Sequence, residues 1–125
     1  MKKVIIIDDD ENILEALKIL LEHFGFKAET LIRDGERLAK AINKQIPDLI
    51  ILDVLLSGED GRVVCKTLKS TKKTKDIPVI MISAHPNAKQ KALEMGADEF
   101  IAKPFDVEHL LDKVEYYTET KLINN

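Results

Sequence analysis

Val4-Ile5-Ile6-Ile7-Asp8-Asp9-Asp10 decides how this chain folds. An unbroken run of β-branched apolar residues suits a strand buried on both faces, as in a parallel sheet covered by helices. The acids that follow place charge at that strand's carboxyl end. The same kind of ending recurs further along. Residues 49–52 run into Asp53, residues 79–82 into Ser83, and residues 100–102 into Lys103-Pro104. Parallel strands of one sheet would bring these ends side by side, at the edge where open α/β sheets bind ligands. Carboxylates, a hydroxyl and an ammonium in one shallow crevice suit a divalent cation and a phosphoryl group.

Between the strands the apolar period changes to that of a helix. Ile13, Leu17, Leu20, Leu21 and Phe24 form one stripe, closed by Gly25. Residues 27–31 read as a more polar strand at the sheet edge. Asp34-Gly35 reads as a turn, and Leu38, Ala41 and Ile42 mark a second helix, broken by Pro47-Asp48. Residues 57–61 read as a loop, followed by a third helix on Val63, Val64 and Leu68. Pro86-Asn87 opens a fourth helix that Gly96 ends, residues 99–102 are the fifth strand, and Asp106 caps a last helix on Val107, Leu110, Leu111 and Val114. Alternation with short connections implies a parallel sheet with helices on both faces. Right-handed crossovers leave few topologies. The expected fold is α/β, a flavodoxin-like (βα)5 doubly wound sheet of order 2-1-3-4-5. Its switch point lies between the first and third strands, which carry the aspartates.

With 125 residues the chain suits a single domain, with a core over about 2–118 and a short tail over 119–125. The net charge of −3 argues against nucleic acid as a direct ligand. The single Cys65 excludes an internal disulfide and reads as a small buried hydrophobe. No apolar run approaches a membrane span. Met-Lys-Lys followed by a short apolar run and acids does not read as a signal peptide, so the expected compartment is the cytoplasm.

Asp8, Asp9 and Asp53 at adjoining strand ends would repel one another unless one is protonated or a cation binds. Hard oxygen ligands without nearby His or Cys favour magnesium over zinc, with manganese as the alternative. Asp53 is the candidate nucleophile, since a carboxylate can attack phosphorus to give an acyl phosphate. Lys103 would neutralise charge from the other side, and Ser83 would donate its hydroxyl to a phosphoryl oxygen. Each has a plainer reading: helix capping for residues 8–10, a strand-end hydroxyl for Ser83, a solvated charge for Lys103. Asp10 fits the cap, but capping does not explain Asp53.

The pieces VIIIDDDENI (4–13), PDLIILDVLLSGEDG (47–61), VIMISA (79–84) and GADEFIAKPF (96–105) resemble, in order and spacing, the receiver domain of two-component response regulators. The resemblance, closest to the chemotaxis-regulator type, covers nearly the whole chain. It implies that Asp53 accepts a phosphoryl group from a phosphohistidine on a sensor histidine kinase or phosphotransfer protein. It implies that Asp9 ligates magnesium directly, that Asp8 holds it through water, and that Asp53 and the Leu55 backbone carbonyl complete the protein ligands. Ser83 and Phe100 stand at the family's switch positions, Lys103 at its lysine, and a cis peptide is expected at Lys103-Pro104. A face of the fourth helix, fifth strand and fifth helix would bind an output protein, serve a missing effector domain, or form a homodimer. Ser57 departs from the proline common in that loop and implies a more flexible loop.

Leu55 and His85 would flank the phosphoryl group and tune its lifetime. His23 and His109 read as ordinary surface residues, and Lys66, Lys69, Lys72, Lys73 and Lys75 as a basic patch, mostly a solvated face. Rival readings are a receiver-like interaction module that works without phosphate and a magnesium-dependent aspartyl-phosphate phosphatase. Leu55 stands where such a phosphatase carries its general acid, so a switch rather than a turnover enzyme is expected. The kinase, output partner and oligomeric state, and whether the chain stands alone or belongs to a longer regulator, are not written in the sequence.

Overall fold

In the computed structural model of the protein, which describes residues 1–32, 35–56 and 59–123, the strands are β1 (Lys3–Asp8), β2 (Lys27–Ile32), β3 (Leu49–Asp53), β4 (Val79–Ser83) and β5 (Glu99–Ala102). They form one parallel sheet of order β2-β1-β3-β4-β5. The helices are α1 (Glu11–His23), α2 (Gly35–Lys44), α3 (Gly61–Ser70), α4 (Lys89–Glu94) and α5 (Val107–Ile123). A 3-10 turn (Pro86–Ala88) precedes α4. This is the expected doubly wound flavodoxin-like architecture, with the polar β2 at the edge. Residues 119–123, expected as tail, continue α5. The proposed flexibility at Ser57 and the Asp34 half of the expected turn lie outside the described residues.

Strand parity builds the core. Side chains of successive strand residues point to opposite faces. Ile5, Ile7, Ile50, Leu52, Val79 and Met81 pack on one side with residues of α2, α3 and α4. Val4, Ile6, Leu49, Ile51, Ile80 and Ile82 pack on the other with α1 and α5. Continuous apolar strands are therefore required, because each strand feeds two layers at once.

The helical stripes are shifted by about a residue in places. In α1 the buried positions are Leu14, Leu17 and Leu21, while Ile13 and Leu20 are half-buried and Phe24 is exposed. Phe24 has left the helix as its C-cap, and Phe26, beyond Gly25, packs in its place. Val63 and Val107 are exposed, while Cys65 and Thr118 are buried on the inner faces of α3 and α5. Thr118 meets burial by donating its hydroxyl to the Val114 carbonyl at 2.8 Å.

Burial raises the Cys65 thiol to about 11. From the ordinary value of 9.0, that lowers its thiolate fraction near neutral pH roughly a hundredfold. Labelling with a disulfide reagent at pH 8 is expected to be at least about a hundredfold slower in the native protein than in urea. Rapid native labelling would contradict the burial.

One member of the basic patch is structural. Lys69 Nζ donates to the Ile77 carbonyl at 2.8 Å and pairs with Asp98 Oδ2 at 2.8 Å, tying α3 to the segments that lead into β4 and β5. Asp98 Oδ2 also accepts from the Val79 N–H at 2.8 Å. Among the described residues no helix is long and apolar enough to cross a membrane.

Candidate functional site

The same parity decides which side chains can meet at the sheet's carboxyl edge. Asp8 follows Val4 and Ile6, Asp53 follows Leu49 and Ile51, and Lys103 follows Ile101, all members of the α1–α5 layer. Ser83 follows Val79 and Met81 toward α4, in the layer that also holds Phe100. Register levels the ends: Ile7 pairs with Leu52, and Asp53 with Ile82. Two groups of residues result, a charged one and a switch-position one, on either side of the same strand ends.

The charged group closes around Lys103. Its Nζ donates to Asp8 Oδ2 at 3.0 Å and to Asp53 Oδ2 at 3.4 Å. Both carboxylates are buried, Asp8 to 1% and Asp53 to 7% exposure. The backbone aims them: the Asp10 N–H donates to Asp8 Oδ1 at 2.9 Å, and the Leu55 N–H to Asp53 Oδ1 at 3.3 Å. Asp9 follows at once, with its Oδ1 buried. Asp10 alone caps α1, accepting from the N–H groups of Asn12 and Ile13.

Electrostatics at Asp53 are opposed. Burial, and then the neighbouring Asp8 charge, raise its pKa above the usual carboxylate range, while Lys103 and the Leu55 N–H pull the other way. At Lys103 burial favours the neutral amine, but the hydrogen bond and charge of Asp8, joined by Asp53, outweigh it and raise the pKa. Among the described residues no three carboxylate, imidazole or thiolate groups already form a metal cluster. Asp8 and Asp53 converge on an ammonium, and Asp9 follows Asp8 in the chain. The donors are nonetheless all hard oxygens with negative charge in excess. Magnesium typically takes only one or two protein carboxylates and fills its shell with water and phosphate oxygens, so the residues fit it.

Leu55–Leu56 pairs antiparallel with Glu59–Asp60, and Asp60 caps α3 by accepting from the Arg62 N–H at 2.9 Å. The Arg62 guanidinium returns to the same carboxylate at 3.1 and 3.0 Å and holds its pKa below the usual range. Gly61, read from sequence only as loop, is the residue missed. Its N–H donates to the Val54 carbonyl at 2.7 Å, and a Cβ there would overlap the Asp53 carbonyl oxygen. Its place in an apparent loop hid it, because the neighbour that requires it lies on β3.

Beside this site lies a cavity of about 200 Å³ whose lining includes Leu55, Arg62, Ser83, His85 and Ala88. Leu55 is 51% exposed at its rim, and His85 is exposed. Ser83 is buried, and its Oγ accepts from the His85 N–H at 3.0 Å. The Lys103 N–H donates to the Ser83 carbonyl at 2.7 Å, and the Lys103–Pro104 peptide is cis. Phe100 lies inward among Met81, Ala88, Ala92 and Ala97. His23 and His109 are exposed.

The family model described as the response regulator receiver domain matches residues 4–115. The DNA-binding dual master transcriptional regulator RpaA of Synechocystis is 39% identical over 116 residues, covering 91% of this chain and 48% of its own. The chain thus spans about half the length of the curated relatives it matches. The signal receiver domain of a histidine kinase from Syntrophus aciditrophicus superposes with a TM-score of 0.87 at 33% identity, covering 96% of this chain and 92% of that one. The chemotaxis protein CheY4 of Vibrio cholerae superposes with a TM-score of 0.84 at 28% identity, covering 94% and 98%. Sequence match and fold agree, and the chain belongs to the response regulator receiver family.

Proposed function

We propose that Asp53 accepts a phosphoryl group from a phosphohistidine on a sensor kinase or phosphotransfer protein. The observation that carries this reading is Lys103 Nζ reaching both Asp8 and Asp53 at the carboxyl edge of the sheet. An Asp53 carboxylate oxygen attacks phosphorus, the P–N bond to the donor imidazole breaks, and its electron pair returns to the ring nitrogen. Lys103 is placed to shift its hydrogen bond from Asp53 to a phosphoryl oxygen, so its charge is already present where negative charge collects. The magnesium that Asp8, Asp9, Asp53 and the Leu55 carbonyl would hold supplies further positive charge at the phosphoryl oxygens.

On the other side of the strand ends, Ser83 would give up its place beneath the His85 N–H to donate to the new acyl phosphate. Phosphorylation adds charge and acceptor oxygens there. Ser83, Ala88 and Phe100 share one layer, so movement at Ser83 would bear on the α4–β5–α5 face and its output protein, effector domain or second copy. The inward Phe100 of this structure would then be the conformer that phosphorylation favours. Leu55 offers no general acid, which supports a switch over a turnover phosphatase. The proposed compartment is the cytoplasm.

Incubation with acetyl phosphate and magnesium, read by intact mass, tests the proposal. The parent is expected to gain one phosphoryl group, and Asp53→Asn and chelator-treated parent to gain none. An unmodified parent, or an equally modified Asp53→Asn, rejects it. Leu55→Asn is expected to shorten the phosphoryl lifetime, because an apolar side chain over the acyl phosphate gives way to one that hydrogen-bonds water. An unchanged decay rate would remove Leu55 from the tuning set.

A further inference from the structure

The groove between α2 and α3 belongs neither to the proposed chemistry nor to the α4–β5–α5 face. It encloses about 340 Å³. Leu38 and Ile42 of α2 and Leu68 of α3 form a buried apolar floor. Val63 stands on its wall at 57% exposure, unusual for a valine in a helix that packs on a sheet. Among the described residues no carboxylate lines the groove. One end is closed by the segment after α3, where Lys73 Nζ reaches across to Asn43 Oδ1 of α2 at 2.8 Å. Lys72, Lys73 and Lys75 are all exposed on that segment. Lys69 of the same run is committed to Asp98, and Lys72, Lys73 and Lys75 outnumber Asp76, the exposed acid of the same segment.

We propose that this groove docks an acidic amphipathic helix of a partner protein. The helix seats aliphatic or aromatic side chains between α2 and α3 and lays its carboxylates on Lys72, Lys73 and Lys75. Two parallel walls of helix over an apolar floor are the shape that receives the apolar face of a third helix. Val63 adds exposed apolar surface above the buried floor, beside the basic segment that closes one end. The charge fixes the kind of partner, because a local basic cluster on a chain of net charge −3 attracts acids where the rest of the surface does not. The site is complete without modification of Asp53, so it stands apart from the phosphoacceptor reading.

The test uses the full chain, isotopically labelled, and a panel of acidic helical peptides about four turns long. Each carries Leu, Met or Phe anchors on one face. The matched controls replace every acid by lysine. Amide shifts on titration with the acidic panel are expected to cluster at Leu38, Ile42, Val63, Val64 and Thr67. Binding is expected to weaken with salt, and by at least about tenfold in Val63→Glu and in Lys72→Glu/Lys73→Glu. These positions are exposed, and circular dichroism checks that both variants stay folded. Lysine controls that bind as well as the acidic peptides overturn the proposal, as does a panel that leaves the groove unshifted. Light scattering reads the rival occupant: a parent dimer that Val63→Glu dissociates assigns the groove to a second copy and overturns it as well.

Discussion

Gly61→Ala is expected to destabilise the protein by about 3 kcal/mol, since overpacking against a fixed neighbour costs 1–3 kcal/mol or more. The added Cβ meets the backbone carbonyl of Asp53, not the end of a flexible side chain. Relief requires α3 to back away, which stretches the 2.7 Å bond from the Gly61 N–H to the Val54 carbonyl. Gly25 is the control. Its φ of +91° strains an alanine, but nothing lies within 4 Å of a Cβ there. Gly25→Ala should cost about 1 kcal/mol, the penalty of left-handed backbone alone. Urea unfolding of both variants measures the difference. Equal losses would mean that α3 does not press on β3. Gly61→Ala should also slow phosphoryl acceptance, because the displaced carbonyl belongs to Asp53 itself.

Lys103→Met is the second large effect. It leaves Asp8 and Asp53 buried side by side without their shared cation, and breaking a buried pair from one end costs about 3–5 kcal/mol. With divalent cations chelated, a loss of about 3 kcal/mol is expected at pH 8. The pH dependence has a definite sign. A raised folded pKa at Asp53 means the folded state binds a proton that the unfolded state has released, so stability falls as pH rises from the ordinary carboxylate value toward the folded one. Lys103 opposes that shift, and its own raised pKa keeps its stabilising charge in place across neutral pH. Removing it widens the window upward. The deficit of Lys103→Met should therefore shrink on going from pH 8 to pH 5. A deficit of the same size at both pH values would show that the ammonium does not face those carboxylates.

Much of this was legible because it rests on period-two alternation. An apolar run that feeds two layers fixes a central strand, and the residue after it inherits a known face. Asp8, Asp53 and Lys103 could be brought together on that ground, with Ser83 close by. Helical stripes are less exact. At 100° per residue Ile13 and Leu14 both fit the inner face of α1, and only packing against β1 and β2 chooses Leu14. The short hairpin of Leu55–Leu56 with Glu59–Asp60 escaped notice because two-residue strands carry no period at all. Gly61 escaped because its reason is a neighbour eight positions back, the carbonyl of Asp53, which sequence spacing does not reveal. Lys69 looked like one more solvated lysine, since its partners Ile77 and Asp98 become neighbours only once β4 and β5 are paired.

Of the three acids expected to converge on a cation, Asp8 and Asp53 share Lys103 between them. That arrangement makes the lysine a resident of the site before any phosphoryl group arrives. It also sets Asp8 and Lys103 against each other at Asp53, the carboxylate adding to the rise that burial causes in its pKa and the ammonium opposing it.

Borohydride trapping examines the nucleophile itself. Reducing the acyl phosphate after exposure to acetyl phosphate and magnesium turns the modified aspartate into homoserine, which peptide mass spectrometry locates. Homoserine is expected at position 53 and nowhere else. Its appearance at position 8 or 9 in place of 53, or its absence from a fully folded protein, would contradict the assignment.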